Sequence, residues 1–336
     1  MDLPTVWFVA VAVLWTGYLV LEGFDFGVGM LLRALGRTED DRRVALGAIG
    51  PVWDGNEVWL ITAVGAMFAA FPVWYSAMFS GLYLPVLAVL LALIVRGVGL
   101  EYRGKVDDPV WRARWDAGIA VGSLVPAFVW GLVLANLVRG LPFASAGVVD
   151  AGFADVVDGY ALLGGLTVTA LSALHGAVFL ALKTDGPVRR RARTLAARAG
   201  LPVLGLFAAF LWWTVAQRPG SWTVWAAAAV LVLAAGVALA ARGREGWAFT
   251  ATATAMAGLA VVLFGSLFPE VLPSTSDPAL ALTVANASSA PYTLGIMTWV
   301  AAVFLPLVLA YQAWSYWVFR RRLGGAPVAP EPAGAS

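Results

Sequence analysis

Cysteine is absent from this 336-residue chain, and histidine occurs once, at His175. Without cysteine the chain cannot form disulfides, hold an iron–sulfur cluster, or bind haem or zinc through a thiolate. A single histidine also excludes a metal site built from several histidines of this chain. Charged residues make up 12% of the chain and hydrophobic residues 61%, whereas a soluble domain has about 25% charged residues. The composition is therefore that of a membrane protein.

Apolar runs long enough to cross a bilayer core, which needs about 20 residues per helix, occur throughout the chain. The start, MDLPT, has no basic region, so we interpret the first run as a retained helix and not as a cleaved signal peptide. We predict an all-α membrane protein with one polytopic domain over 1–323 and a disordered cytoplasmic tail over 324–336. The nine predicted spans are 5–32, 52–71, 76–100, 116–137, 158–182, 200–216, 222–241, 247–268 and 292–318.

Most of the 22 lysines and arginines follow the first, third, fifth, seventh and ninth spans. By the positive-inside rule this places the N-terminus outside and the C-terminus in the cytoplasm. The basic run RRRAR at 189–193 is interpreted as an orientation signal with some contact to anionic lipid, and not as a nucleic-acid site. The ninth span ends in aromatic residues that suit an interfacial belt, namely Trp314, Tyr316, Trp317 and Phe319.

Acidic residues interrupt the first three apolar runs. Carboxylates within a membrane are costly, so they usually face a bundle interior and mark a pathway or a paired site. The acids of the first two helices form pairs one helical turn apart, and the predicted orientation places all five acids in the cytoplasmic half. They are Glu22 and Asp25 on the first helix, Asp54 and Glu57 on the second, and Glu101 on the third, which also carries Arg96.

Three interpretations of this acidic cluster remain open on physical grounds. It could relay protons from the cytoplasm, it could be structural, with acids paired to Arg96 or capping helix ends, or it could hold a cation. Asp54 in particular lies near a helix N-terminus, where the helix dipole stabilises a carboxylate. Gly23, Gly27 and Gly29 would let a neighbouring helix approach the first pair closely.

His175, on the fifth span, is the other candidate functional residue. It could be an axial haem ligand, but the sequence offers no second ligand at a defined spacing. A hydrogen-bonded histidine inside the bundle is therefore the preferred interpretation. The chain contains no Walker motif and no dinucleotide-binding fingerprint in a credible context.

Several blocks along the chain are unusual for membrane helices: GFDFGVGML, GPVWDGNEVWLIT, FSGLYLP, GLEYRGK, LFPEVLPST and NASSAPYTLGIMTWVA. In this order they resemble subunit II of the cytochrome bd-type quinol oxidases over nearly the whole chain. The resemblance implies two four-helix bundles plus a peripheral helix, packed as an obligate heterodimer on subunit I in the bacterial cytoplasmic membrane. It implies that the complex, and not this chain alone, oxidises quinol and reduces oxygen to water. Haem b and haem d are then expected on subunit I, with none ligated by this chain.

The resemblance also implies roles for the acids. The acids at the positions of Asp54 and Glu101 belong to a proton path in the family, and Glu22 and Asp25 match further acids of its first-helix motif. We therefore predict Asp54 as the main carrier, Glu101 as the entrance, and Glu22, Asp25 and Glu57 as auxiliary relays, with Arg96 as a nearby positive charge. A structural quinone, small accessory subunits and membrane lipids are further expected partners, and nucleic acid is not. The alternatives are a stand-alone proton-coupled transporter, which would need a substrate site near the membrane midplane, and a purely structural scaffold.

Overall fold

The structure is a computed structural model that describes residues 2–324, and its helices stand side by side. Within that range, eight helices are long and apolar enough to cross a membrane. The predicted disorder of the tail concerns residues that lie, apart from Gly324, outside the described part of the chain. The helices are α1 (Leu3–Leu35), α2 (Glu39–Ile49), α3 (Trp53–Ala70), α4 (Pro72–Gly81), α5 (Tyr83–Tyr102), α6 (Pro109–Arg139), α7 (Phe153–Val156), α8 (Gly159–Lys183), α9 (Gly186–Gln217), α10 (Trp222–Ala241), α11 (Glu245–Leu267), α12 (Val284–Ala287) and α13 (Pro291–Val318).

The second predicted span corresponds to α3, which has 18 residues and is not among the eight. Asp54, Asn56 and Glu57 lie in its first turns and lower its mean hydropathy. The eight spans confirm a polytopic helical membrane protein, while the count of nine stays a prediction in which α3 would be the additional span.

The third predicted span, 76–100, is not one continuous helix. The chain forms α4 and α5, which are separated at Leu82. Pro85 explains the break, because proline lacks an N–H and its ring clashes with the carbonyl four residues earlier, here that of Gly81. The sixth predicted span, 200–216, is only the second half of α9, whose first half carries the basic run.

The helices pack in two groups, one of α1, α3, α5 and α6 and one of α8 to α11. The two groups are in broad contact, because α1 packs on α8 and α11 as well as on α3 and α6, and α6 also packs on α8. The crossing of α1 and α8 is close at Gly27 and Gly176. A Cβ added to Gly176 would lie 2.5 Å from the backbone carbonyl carbon of Gly27, so neither position has room for a side chain.

Two short antiparallel sheets cover one end of the bundle. The first pairs β1 (Phe143–Ser145) with β2 (Val148–Val149), and the second pairs β3 (Glu270–Leu272) with β4 (Leu282–Thr283). A bridge between Leu141 and the loop after β3 joins the two regions. These connections hold the tips of the helices together and form no separate domain.

Helix α13 lies at the periphery. Leu294 is its one buried residue, although all of α13 is described. The indole N–H of Trp7 donates to the hydroxyl of Thr298 at 3.0 Å and thereby links α13 to α1. Because α13 makes so few contacts with the helix groups, the polar bonds that it does form are conspicuous.

Candidate functional site: a buried acid–arginine cluster

Two acidic side chains of α1 lie inside the helix bundle. Glu22 and Asp25 are both 0% exposed, because α1 is surrounded by α3, α6, α8 and α11. The approach of α8 is close, since a Cβ added to Gly27 would lie 2.1 Å from the backbone oxygen of Ser172. The predicted burial of both acids and the predicted close helix approach at a glycine are confirmed.

Arg96 of α5 is the cation of this cluster, and it is also 0% exposed. Its Nη1 forms an ion pair with Glu22 and lies 3.3 Å from Oε2 of Glu57. Its guanidinium carbon lies 5.0 Å from the ring centroid of Phe26 and 5.9 Å from that of Trp53, within cation–π range. The predicted contact between Arg96 and the acids is present. The positive charge of Arg96 compensates the negative charge of the carboxylates in a site that excludes solvent.

Asn56 of α3 connects Asp25 to the peripheral helix. Its Nδ2 donates to Oδ2 of Asp25 at 2.7 Å and to the backbone oxygen of Leu21 at 3.4 Å. Its Oδ1 accepts from Nε2 of Gln312 at 3.1 Å and from the hydroxyl of Tyr316 at 2.7 Å. The amide of Asn56 is therefore satisfied on both sides.

Several atoms of the cluster have no hydrogen-bond partner within residues 2–324. They are Oε2 of Glu22, Oδ1 of Asp25, and Nε and Nη2 of Arg96. Leaving a buried polar atom without a partner costs about 1–3 kcal/mol, and a carboxyl oxygen in that position can accept a proton. In the same range, no group of three or more His, Cys, Asp or Glu side chains is placed to hold a metal ion.

Asp54 and Glu101 do not join this cluster, and the prediction that all five acids share one polar interior is wrong. Both side chains are exposed. The helical period explains this, because Asp54 lies about 200° around α3 from Asn56, and Glu101 about 140° around α5 from Arg96. Glu57 is about 60° from Asp54 and its side chain is 23% exposed. Glu57 therefore lies between the outer surface and the buried cluster.

The surfaces that carry Asp54 and Glu101 are otherwise apolar. Val58 and Ile61 follow Asp54 on α3 and are 48% and 70% exposed, and Ile94 on α5 is 61% exposed. An acid on the apolar flank of a membrane helix is unfavourable against lipid. These two helix faces therefore combine an apolar surface with an acid that needs a polar neighbour.

The surroundings of His175 do not fit a haem. The residue is 0% exposed, and its Nδ1 lies 2.7 Å from the hydroxyl of Thr252. Its ring stacks on Phe249 with centroids 4.6 Å apart, and Phe24 packs edge-on at 5.8 Å. A porphyrin on this imidazole would have to displace these aromatic rings. The structure agrees with the preferred interpretation of an interior histidine.

A second ion cluster fastens the helices at the end opposite the sheets. We call this the basic end; it comprises the last turns of α1, α5 and α8 and the first turns of α6, α9 and α11. Arg103 donates to both carboxyl oxygens of Glu39 at 2.9 and 2.8 Å, and it also pairs with the buried Asp116. Arg42 lies 3.2 Å from Asp116. The hydrogen bonds from Arg103 hold the pKa of the Glu39 carboxyl below its ordinary value.

Sequence reasoning missed Gln312, Tyr316 and Asp116. Tyr316 was assigned to an aromatic belt, yet its hydroxyl bonds to Asn56. The available signal was the four-residue spacing of Gln312 and Tyr316, which places two polar groups on one face of α13. Their partner lies on a helix 256 and 260 residues away in sequence, so spacing alone could not identify it.

A sequence model of the family described as cytochrome bd terminal oxidase subunit II matches residues 3–319. The chain belongs to this family. The cytochrome bd ubiquinol oxidase subunit 2 of Bacillus subtilis (strain 168) is 44% identical over 328 residues, which cover 96% of this chain and 97% of the relative. The cytochrome bd-I ubiquinol oxidase subunit 2 of Escherichia coli (strain K12) is 36% identical over 351 residues, with 93% of each protein covered.

The fold has a counterpart among solved structures. The bd oxidase of Geobacillus thermodenitrificans contains a chain that matches with a TM-score of 0.75 and 20% identity, covering 95% of this chain and 99% of that one. Family membership makes this chain a subunit of a quinol oxidase complex, an oxidoreductase of the respiratory chain. With its apolar helices, it is a multi-pass protein of the bacterial inner membrane. The family also implies haem in the complex and a partner subunit, and the predicted family, enzyme class and location are confirmed.

Proposed function

We propose that this subunit supports a haem-bearing subunit I and supplies a proton pathway from the cytoplasm to the oxygen-reduction site of the complex. One observation carries the proposal: Asp54 is exposed on the flank of α3 while Glu57, one turn later, contacts the buried Arg96. The acids of α3 thus run from the surface of the subunit to its interior. A path for protons needs this kind of sequence of titratable groups.

The exposed faces of α3 and α5 are proposed to seat subunit I. Asp54 and Glu101 are exposed beside apolar side chains, and such acids are stabilised by protein partners and not by lipid tails. An obligate heterodimer would cover both acids and leave them at the boundary between the two subunits. Small accessory subunits and membrane lipids would contact the remaining apolar surface.

The orientation follows from charge. The basic end carries the arginine clusters, so the positive-inside rule places it in the cytoplasm. The N-terminus is then outside, the C-terminus inside, and the chain crosses nine times as two four-helix bundles plus the peripheral α13. Asp54 begins α3 close to the basic end, and Glu101 ends α5 there.

In the proposed path, protons enter near Glu101 and Asp54 is the main carrier towards subunit I. Glu57, Glu22 and Asp25 are auxiliary relays behind Asp54. Arg96 keeps this group of acids together, because it contacts Glu22 and Glu57 at once.

Haem b and haem d are proposed to lie on subunit I, since this chain has no cysteine and its histidine is enclosed by aromatic rings. Quinol is the proposed reductant of the complex. A structural quinone in this subunit stays a prediction.

The proposal predicts that Asp54→Asn slows the assembled oxidase. The substitution keeps the shape of the side chain but removes its capacity to carry a proton, and we expect oxygen consumption to fall by about tenfold or more. The rate is measured with an oxygen electrode on purified complex supplied with excess quinol, and haem content per subunit II verifies assembly.

Asp40→Asn is the matched control, because Asp40 is an exposed acid of the same end that lies on α2. Asp40→Asn should leave the rate of oxygen consumption unchanged. Asp54→Glu, which keeps a carboxyl at position 54, should retain much of the wild-type rate. Wild-type oxygen consumption by an intact Asp54→Asn complex would overturn the carrier role of Asp54.

A further inference from the structure

Helix α13 contributes two hydrogen-bond donors to the buried cluster although it is otherwise exposed. Gln312 and Tyr316 are one turn apart and reach the same acceptor, Oδ1 of Asn56. Both side chains are half-buried, while their neighbours Tyr311 and Trp314 are exposed. The polar face of α13 is therefore directed at a single amide.

The partners on its two sides determine which way that amide points. An asparagine side chain has one accepting end and one donating end. The backbone oxygen of Leu21 can only accept, so the nitrogen of Asn56 faces Leu21 and Asp25, and it donates to Asp25 at 2.7 Å. Gln312 and Tyr316 then satisfy the oxygen on the other side.

The reversed amide is unfavourable. Its oxygen would face the backbone oxygen of Leu21 and an oxygen of Asp25, and Gln312 would have to turn its own amide to accept from the reversed N–H groups. Leaving buried acceptors facing each other costs more than the hydrogen bonds are worth individually. The side chains of α13 therefore satisfy Asn56 in the orientation in which it donates to Asp25.

The position of α13 is itself fixed by the protein at both ends. Near its start, the indole of Trp7 donates to Thr298. After its end, the N–H of Leu323 donates to the backbone oxygen of Lys183 at 2.8 Å. The N–H of Asp185 donates to the backbone oxygen of Leu323 at 3.1 Å. These bonds fix the position of α13 along its axis, so that both donors reach Asn56.

We propose that Gln312 and Tyr316 are positioning residues that lock the amide of Asn56, by holding its oxygen, in the orientation that donates to Asp25. The importance of this lock for turnover rests on the proposed function, in which Asp25 is a relay. The lock itself is a property of this subunit. It gives α13 a role in the chemistry of the buried cluster that its sparse packing does not suggest.

The test uses infrared spectroscopy on the assembled oxidase. The signal of the Asp25 carboxyl is identified as the difference that Asp25→Asn removes. In Tyr316→Phe, and more strongly in Tyr316→Phe combined with Gln312→Leu, that signal should change frequency because Asn56 is released. Oxygen consumption by the double variant should fall about threefold to tenfold, the effect of losing one or two buried hydrogen bonds.

Tyr311→Phe is the control on the same helix. Tyr311 is 65% exposed and its ring lies 6.0 Å from that of Trp314. It should alter neither the infrared signal nor the rate. Haem content shows that each variant complex is assembled, and Tyr316→Phe alone is conservative enough to keep the fold.

The outcomes separate the lock from the proton pathway. An unchanged Asp25 signal in the double variant overturns the lock, even if Asp25→Asn slows oxygen consumption and so supports the pathway. A changed signal with an unchanged rate supports the lock and overturns its importance for turnover, while the rate of Asp25→Asn tests Asp25 as a relay. A changed signal with a slower rate supports both.

Discussion

At the scale of single residues, the interior of the bundle depends on Arg96. This side chain contacts Glu22 and Glu57 from two other helices while it is fully buried. Removing one member of a buried ion pair leaves an uncompensated charge, which costs far more than the intact pair contributes. Arg96 is therefore the residue whose loss we expect to be most damaging.

Arg96→Met should destabilise the subunit by about 3–5 kcal/mol, because Glu22 would remain buried without a cation. We expect a low yield of assembled complex and a lower melting temperature. Adding Glu22→Gln should recover part of the loss, since the second change removes the unpaired charge. Arg114→Gln, at an exposed position of α6, is the control. A single Arg96→Met complex as stable as wild type would contradict this account of the cluster.

The sequence predicted which charged residues contact one another inside the bundle better than it predicted which acids lie on the surface. Charges within apolar runs indicated Glu22, Asp25, Glu57 and Arg96, because such groups need partners in a membrane. The exposure of Asp54 depends on how α3 is rotated in the bundle, and a search for apolar runs does not determine that rotation. The contribution of α13 was missed because it depends on a long-range tertiary contact.

At the scale of helices, the crossing of α1 and α8 places the acids inside the molecule. Gly27 and Gly176 meet there with their backbones in contact. The glycines beside Glu22 and Asp25 indicated a close approach, and the structure shows that α8 is the helix that approaches. The break at Leu82 was not predicted, because mean hydropathy is insensitive to the position of Pro85.

Gly27→Ala should disrupt this crossing. The added methyl group would lie 2.1 Å from the backbone oxygen of Ser172, so the helices must separate at a cost of about 1–3 kcal/mol. Gly65→Ala on α3 is the matched control, because nothing lies within 4 Å of a Cβ there. Melting of the purified complexes compares the two variants, and equal melting temperatures would show that the crossing tolerates a side chain.

The ion cluster of the basic end predicts a dependence of stability on pH. Arg103 lowers the pKa of Glu39 in the folded protein, so the stabilising effect of the Glu39 carboxylate is complete above its unfolded pKa of about 4.3. The effect is lost as the pH falls through the lower folded value. Glu39→Gln should therefore lower the melting temperature at pH about 7, and its difference from wild type should shrink below pH about 4. A difference that stays constant over this range would exclude a contribution from the ionised carboxylate.

At the scale of the whole molecule, the subunit is a helical body that pairs the buried Glu22 with Arg96 and leaves Asp54 and Glu101 exposed. Asp54 and Glu101 lie on faces that are otherwise suited to lipid or protein. The family provides the context, because a subunit of a bd oxidase functions in a complex. We propose that these exposed acids are the part of a proton pathway that the partner subunit covers.

The most direct measurement is a reduced-minus-oxidised absorption spectrum of the tagged subunit, extracted with its surrounding lipid into polymer nanodiscs so that partners are retained. The account predicts haem b and haem d bands together with a second large membrane chain. A colourless preparation that contains this chain alone would contradict the proposal that it functions on a haem-bearing partner.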